Sequence, residues 1–460
     1  MFGPCVQFHR GHISLAVGLF LLVAGGRSDA ARPDGKANVI VIITDDHGYA
    51  DAGFQGSTEI LTPHLDALAA SGVVCTSGYV TSAVCAPSRA GLLTGRYQQR
   101  HGFHDNAWST LVGLSTEVRT IADVLKSQGY ATCAIGKWHM GQLPQFRPLV
   151  RGFTEHYGFL GGGRSFLPLA ESQGVPFVPK DLMQTSLWRN ESQVEDPAYL
   201  TDAFGDEAVA CIERHKSDPF FIYLAFNAPH VPLQATDKFL ARYPELKGGR
   251  RMYAAMLSAV DDAIGRISAA LKSNDLDQDT LIFFLSDNGG QILSAGVNRP
   301  LRGEKSTLFE GGIRVPFIVK WPRMLKSGVK FGEAVSALDI MATAVTAAGI
   351  KDLAPLKLDG VDLAPYLRGD RTGRPHEILH WRFIKHHAVR QGDWKLVRQA
   401  DGQGGLFDLS KDLSETTDVS AAHPEVVKEL EELHAVWEKE MPDPGPVPRP
   451  KPSADKAPAT

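Results

Sequence analysis

Asn38-Val39-Ile40-Val41-Ile42-Ile43-Thr44, followed at once by Asp45-Asp46-His47-Gly48, decides the fold. Every residue from Val39 to Thr44 is β-branched, with no apolar–polar alternation. Such a run is expected of a strand buried on both faces, as in the middle of a parallel sheet. The abrupt change to acids and glycine marks its carboxyl end. The same pattern recurs downstream. A strand predicted over 131–135 runs into Gly136-Lys137-Trp138-His139. One over 220–226 runs into Asn227-Ala228-Pro229-His230, and one over 280–285 into Ser286-Asp287-Asn288-Gly289-Gly290. A further strand is predicted over 315–321.

Helices are predicted between these strands, over about 63–71, from Cys85 onward, and over 117–128, 201–216, 252–272 and 336–348. Strands alternating with helices predict an α/β fold: a large, mostly parallel sheet flanked by helices. Ligands of such sheets bind at the carboxyl ends of the strands. Four strands therefore deliver Asp45-Asp46, Lys137/His139, His230 and Asp287-Asn288 to one end. Residues 141–200, rich in Gly, Pro and aromatics with weak periodicity, are predicted as long loops. Past residue 368, short strand-like runs at 376–381, 387–390, 394–398 and 406–409 predict a small antiparallel sheet. A charged amphipathic helix follows over 424–439.

The termini read differently. Arg10 precedes an apolar run, Ile13 to Ala24, that is too short to span a membrane, and Ser28-Asp29-Ala30 offers a cleavage site. Residues 1–30 are thus expected to be a signal peptide, with no stable membrane anchor. The expected organisation is a catalytic domain over 31–368, a C-terminal α+β subdomain over 369–440 and a disordered tail over 441–460. The 460-residue chain is 43% hydrophobic and 22% charged, with a net charge of -4 and no Lys- or Arg-rich block. That balance argues against a general nucleic-acid binder. Of the five cysteines, Cys5 leaves with the signal. Cys75, Cys85, Cys133 and Cys211 are too few and too irregular for a disulfide framework, and match no zinc-site spacing.

Asp45, Asp46, Asp287 and Asn288 form an all-oxygen set. It suits a hard cation, calcium or magnesium, which would also relieve repulsion among the acids. Lys137, His139 and His230 bring basic groups to the same end of the sheet. Cys85 opens a predicted helix, where free N–H groups favour an anion. Pro87 fits its first turn, and Arg89 lies one turn in, placed to reach back to residue 85. Cys85 is therefore a candidate reactive group.

The string Cys85-Ala86-Pro87-Ser88-Arg89, with Thr94-Gly95-Arg96 beyond it, resembles the signature of the type I, formylglycine-dependent sulfatases, the arylsulfatase-like branch of the alkaline phosphatase superfamily. Gly136-Lys137-Trp138-His139, Ala228-Pro229-His230, the stretch from Arg302 to Pro316 and, more loosely, Gly392 to Val397 also match. The resemblance spans about residues 37–440 and implies an alkaline-phosphatase-like fold. It implies that a maturation enzyme oxidises Cys85 to formylglycine. Asp45, Asp46, Asp287, Asn288 and residue 85 would then hold calcium, with magnesium the lesser alternative. It further implies that the hydrated aldehyde attacks sulfur. Arg89 would favour its deprotonated form, Lys137 would hold diol and sulfate, and His230 and Lys305 would bind sulfate and assist the leaving alcohol. His139 would take the proton that lets sulfate leave. The substrate implied is a sulfated carbohydrate or aryl sulfate, met in the periplasm, outside the cell, or in a lysosome-like compartment. Competing readings are a phosphonate or phosphodiester hydrolase of the same superfamily and a non-catalytic binder of sulfated glycans. His101, His104, Asn106 and Trp108 are either pocket-lining residues or ordinary loop residues. Glu310-Gly311-Gly312 is assigned only a loop-shaping role.

Overall fold

The computed structural model describes residues 1–3, 35–106, 113–168 and 185–442. Nearly all of the predicted signal peptide, Trp108 and nearly all of the 441–460 tail lie outside them. The first strands are β1 (Asn38–Thr44), β2 (Val73–Cys75), β3 (Gly78–Tyr79), β4 (Ala131–Lys137) and β5 (Glu155–Phe159). β6 (Leu187–Arg189), β7 (Ser192–Val194), β8 (Phe220–Ala225), β9 (Thr280–Ser286), β10 (Phe317–Lys320), β11 (Val329–Phe331) and β12 (Val335–Ser336) follow. Among the described residues the main sheet has ten strands, in the order β11-β2-β10-β9-β1-β8-β4-β5-β6-β7. Its centre, β9-β1-β8-β4-β5, is parallel throughout. The antiparallel pairings lie outside it, where β10 joins β9 and β2, and β5-β6-β7 turn back on themselves.

β1 sits mid-sheet, and all seven of its residues are buried. Val39, Val41 and Ile43 face one layer with the helices Cys85–Thr94, Ile121–Ser127 and Asp339–Ala347. Ile40 and Ile42 face the other, with Pro63–Ala70, Leu200–His215 and Gly248–Ser273. A period of two between two covered faces explains why the run never alternates. Each such side chain contributes about 1.5–3 kcal/mol by leaving water. Cys133 of β4 and Cys211 of the Leu200–His215 helix form a disulfide, while Cys75 and Cys85 stay free.

Two expectations are corrected. The 141–200 stretch is not merely loop: β5, β6 and β7 extend the sheet there. These strands are short and carry polar residues, so their sequences lack the apolar runs of the centre. The helix expected from residue 117 begins at Ile121. Thr120 caps it, accepting from the Asp123 N–H, while Asp123 accepts from the Thr120 N–H. This reciprocal box fixes the start.

The C-terminal sheet is as expected. β13 (Ile378–Phe383), β14 (His386–Gln391), β15 (Trp394–Arg398) and β16 (Gly404–Asp408) pair antiparallel in sequence order. The helix Pro424–Lys439 seats Leu430 on Val389, Leu396 and Leu406. Trp381 donates its indole N–H to the Val80 carbonyl (2.7 Å), fastening this sheet to the segment before Cys85.

Candidate active site

Four neighbouring parallel strands, β9-β1-β8-β4, end side by side, and their last residues or the turns beyond them build the site. β1 delivers Asp45 and Asp46, β9 delivers Asp287 and Asn288, and β4 ends on Lys137, all buried. His230 follows β8 after a short turn and is flanked by two cis peptides, Ala228-Pro229 before it and Val231-Pro232 after it. Lys305 comes from the long connection between β9 and β10. Asp46 and His139 adopt left-handed backbone conformations (φ 61° and 57°). Such conformations are uncommon for residues with a Cβ and cluster at functional sites. Asn288 is held by glycine packing: a Cβ on Gly289 would lie 1.8 Å from the Gly311 carbonyl oxygen. This contact also shows what the Glu310-Gly311-Gly312 run shapes.

Every residue of the Cys85–Thr94 helix is buried. Asn106 accepts from the Ala86 N–H (2.9 Å), so it secures the first turn of this helix. The Cys85 thiol lies 3.5 Å from Asp45 Oδ1, to which it donates. Burial pushes that thiol up to about 12, opposed only in part by Lys137 and Lys305. The unmodified side chain is therefore a thiol at neutral pH and a poor nucleophile. Arg89 does not bond back to residue 85 as its helical position suggested. Its Nε donates to Asp287 Oδ2 (2.8 Å), its Nη2 lies 2.7 Å from the same oxygen, and its Nη1 donates to the Lys137 carbonyl (3.1 Å).

The basic groups meet the acids directly. Lys137 Nζ lies 2.6 Å from Asp45 Oδ2. Lys305 Nζ lies 2.8 Å from both carboxylate oxygens of Asp46. His230 Nε2 stands 3.8 Å from Asp46 Oδ2, while its Nδ1 pairs with the Val231 carbonyl (2.7 Å). His230 and Lys305 keep slight exposure, whereas Lys137, Asp45 and Asp46 have none. The rim open to a ligand is thus basic.

The charges set the titration. Burial works to raise Asp45, but Lys137, His230, Arg89 and Lys305 hold its carboxyl well below the usual range. Burial and the Asp45 charge push Asp287 up, to about 6, against the pull of Arg89. His139 is driven well below its ordinary value by burial and by Lys137 and Arg89. It is a neutral imidazole at pH 7, and its Nδ1 is buried without a hydrogen-bond partner.

The residues present can hold a cation. Ligand atoms of Asp45, Asp46, Cys85 and His230 all lie within 4.8 Å of one another. Asn288 donates its amide to Asp46 Oδ1 (2.7 Å), which leaves its own Oδ1 buried without a hydrogen-bond partner. An orphaned buried acceptor amid three carboxylates is chemically unfinished, and a cation would complete it. The sequence-based site residues Asp45, Asp46, Cys85, Arg89, Lys137, His230, Asp287, Asn288 and Lys305 are thus linked in one network. His139 sits beside it, with its Nε2 2.6 Å from the position a Cβ on Gly162 would take. His104 turns to Arg382 instead (Nδ1 to Nη2, 3.0 Å). Gly162 carried no sequence signal beyond its Gly-rich context.

A sulfatase family model matches residues 37–350, and the model of the N-sulphoglucosamine sulphohydrolase C-terminal region matches residues 303–440. The chain belongs to the sulfatase family and is a sulfatase. It is 33% identical over 398 residues to the N-acetylgalactosamine-6-sulfatase of Mus musculus, covering 82% of this chain and 74% of that one. It is 32% identical over 473 residues to human (Homo sapiens) arylsulfatase A, covering 90% of this chain and 89% of that one. The solved structure of Ps i-CgsB in complex with k-i-k-neocarrahexaose superposes with a TM-score of 0.84 at 37% identity, covering 89% of this chain and 94% of that one.

Proposed function

We propose that this sulfatase removes sulfate from a sulfated carbohydrate, with residue 85 as nucleophile after oxidation of Cys85 to formylglycine by a maturation enzyme. The observation that carries the reading is the position of Cys85. It is buried at the first turn of a helix, against Asp45, inside a cluster whose open rim is basic. Calcium would be held by Asp45, Asp46, Asp287, Asn288 and residue 85, where it supplies positive charge beside the nucleophilic oxygen. Magnesium is the alternative for the same donors.

The chain's own groups then divide the work. Lys137, Lys305 and His230 bind the sulfate oxygens, and their preorganised charge favours the transition state as the S–O bond breaks. With its Nδ1–H given to the Val231 carbonyl, His230 can protonate the departing alcohol through Nε2 only as the imidazolium, a form that burial disfavours and Asp45 and Asp46 favour. Arg89 fixes Asp287 and, through the Lys137 carbonyl, the end of β4. Neutral His139 is the base that accepts a proton from residue 85 as sulfate leaves. Residues 1–30 would export the chain to the periplasm or the cell exterior, with 31–368 catalytic and 369–440 a docked subdomain. Among the described residues no helix is long and apolar enough to cross a membrane.

The test is turnover by protein made with and without a formylglycine-generating enzyme. 4-Nitrophenyl sulfate, sulfated oligosaccharides and phenyl phosphonate esters are the substrates. Sulfate release that needs the maturation enzyme, and exceeds phosphonate cleavage, is expected. Faster phosphonate cleavage would move the protein to the phosphonate hydrolases. Binding of sulfated glycans without turnover would make it a binder.

A further inference from the structure

We propose that the cavity between β5–β6 and the turns at 144–150 is a sugar-binding subsite, taking a pyranose unit of the substrate glycan beyond the one that carries the scissile sulfate. The inference rests on the carbohydrate-sulfatase reading and extends it to a second site.

The cavity follows from the register. β5 and β6 run antiparallel, with Gly158 opposite Trp188. Period two then places His156, Gly158 and Leu160 on one face of β5, and Trp188 and Asn190 beside them. A Cβ on Gly158 would lie 2.0 Å from the Gly136 carbonyl oxygen, so the position opposite Trp188 carries no side chain. Short 3-10 turns, Pro144–Phe146 and Pro148–Val150, form the facing wall. The space enclosed is about 340 Å³, within the range of small-molecule sites.

Its polar groups suit a sugar. His156 is 4% exposed, lines the cavity, and leaves Nε2 without a hydrogen-bond partner. Its main-chain N–H and C=O are both paired with Asn190, so the ring is well positioned. Burial lowers the imidazole to about 4, hence it is neutral and can accept from a hydroxyl. The Asn190 Oδ1 is taken by the His156 N–H (2.9 Å), which leaves the amide donors to a ligand. The Arg147 guanidinium carbon stands over the Trp188 ring, 4.5 Å from its centroid, and its Nε donates to the Gln142 carbonyl (3.1 Å). An aromatic ring, apolar Pro148 and Leu160, and fixed donors and an acceptor match the C–H face and hydroxyl edge of a pyranose. The cavity adjoins the catalytic centre: Leu160 lines it, and its carbonyl accepts the His139 N–H (3.2 Å). On this proposal one glycan spans both.

The test compares Trp188→Ala and His156→Phe with the wild-type chain. Probes are a carrageenan neohexaose, chondroitin sulfate di- and hexasaccharides, and 4-nitrophenyl sulfate. Calorimetry on the inactive Cys85→Ala chain reads binding, and kinetics on the active enzyme read the ratio of kcat/KM for hexasaccharide over aryl sulfate. The inference predicts tighter binding of a hexasaccharide than of any disaccharide, and a loss of about tenfold in affinity and in that ratio for both variants. His156→Gln, which keeps an acceptor, should retain more of both than His156→Phe. Binding of none of the glycans, or variants indistinguishable from wild type on the hexasaccharide, would overturn it. Failure of wild-type protein to cleave 4-nitrophenyl sulfate would instead strike the sulfatase chemistry, and the calorimetry would still decide the subsite.

Discussion

Five positions separate Lys305 from Glu310, yet the two belong to buried charge clusters of opposite character. Lys305 reaches Asp46 in the strand-end cluster. Glu310 heads a second cluster, where its Oε1 pairs with Lys395 (2.8 Å) and its Oε2 accepts from Tyr79 (2.6 Å) and Arg314 (3.1 Å). Lys395 also pairs with Glu415 (2.9 Å), whose Oε2 accepts the Glu310 N–H (2.6 Å). Arg390 donates to the Tyr79 hydroxyl (2.5 Å). In this second cluster Glu310, Glu415 and Lys395 are fully enclosed, and it joins β15 to the turn before β10. The strand-end cluster keeps a slightly exposed basic rim, an orphaned Asn288 Oδ1 and an unpartnered His139 nitrogen. Burial and charge are common to both. What separates them is unfinished bonding capacity, and that is where a ligand enters.

The largest effect that sharpens this contrast is on activity. Cys85→Ala should lower kcat/KM for sulfate esters by about four orders of magnitude or more, while the denaturant midpoint stays near that of the wild type. Unchanged turnover would take residue 85 out of the chemistry. Next, Lys305→Met should lower kcat by about 10²–10³ in metal-saturated enzyme, with little change in folding stability. Lys395→Met should do the reverse. It leaves Glu310 and Glu415 without their shared partner, at a cost of about 3–5 kcal/mol in urea unfolding. Equal losses of stability from both lysine variants would erase the distinction between the clusters. If the strand-end cluster holds the proposed metal, a chelator should abolish turnover, whereas the Glu310 cluster should be indifferent to it.

The smallest effect is on pH dependence. Burial and Glu310 push Glu415 up, to about 7 from its ordinary 4.5, against the pull of Lys395. Between these values the folded chain holds a proton that the unfolded chain has lost, so this group makes stability decline as pH rises from about 4.5 to about 7. Glu310 acts oppositely. Burial would raise it, but Lys395, Arg314 and Arg390 hold it at about 2. Its contribution is gained as pH rises from about 2 to 4.5 and is complete above that. Glu415→Gln should flatten the decline between pH 5 and 7 by up to about 1.4 kcal/mol per pH unit, read from urea unfolding at each pH. An unaltered slope would assign the decline to other groups.

The same contrast explains how much was legible in the sequence. The central strands announce themselves because two covered faces demand continuous apolar runs, as in Val39–Ile43 and Phe220–Ala225. The site follows from them, since polar residues directly after a buried strand have one place to go. Long-range partners leave no such mark. Glu310 was assigned only a loop-shaping role because Lys395 lies far along the chain, on a strand of the other sheet. The backward reach of Arg89 to residue 85 failed because Asp287, from another strand, is the stronger partner. β5, with Glu155 and His156 in its run, is held by its register with β4 and by Asn190 rather than by apolar periodicity. Its strand character was therefore hidden within an apparent loop.

The most direct test of the central claim is the mass of the proteolytic fragment containing residue 85, taken from protein made in its own host and shown to release sulfate. An unfinished cluster completed at residue 85 predicts a mass about 18 Da below that of the cysteine form, through covalent conversion of the thiol, with turnover proportional to the converted fraction. Full turnover by protein that carries only the unmodified thiol would contradict it.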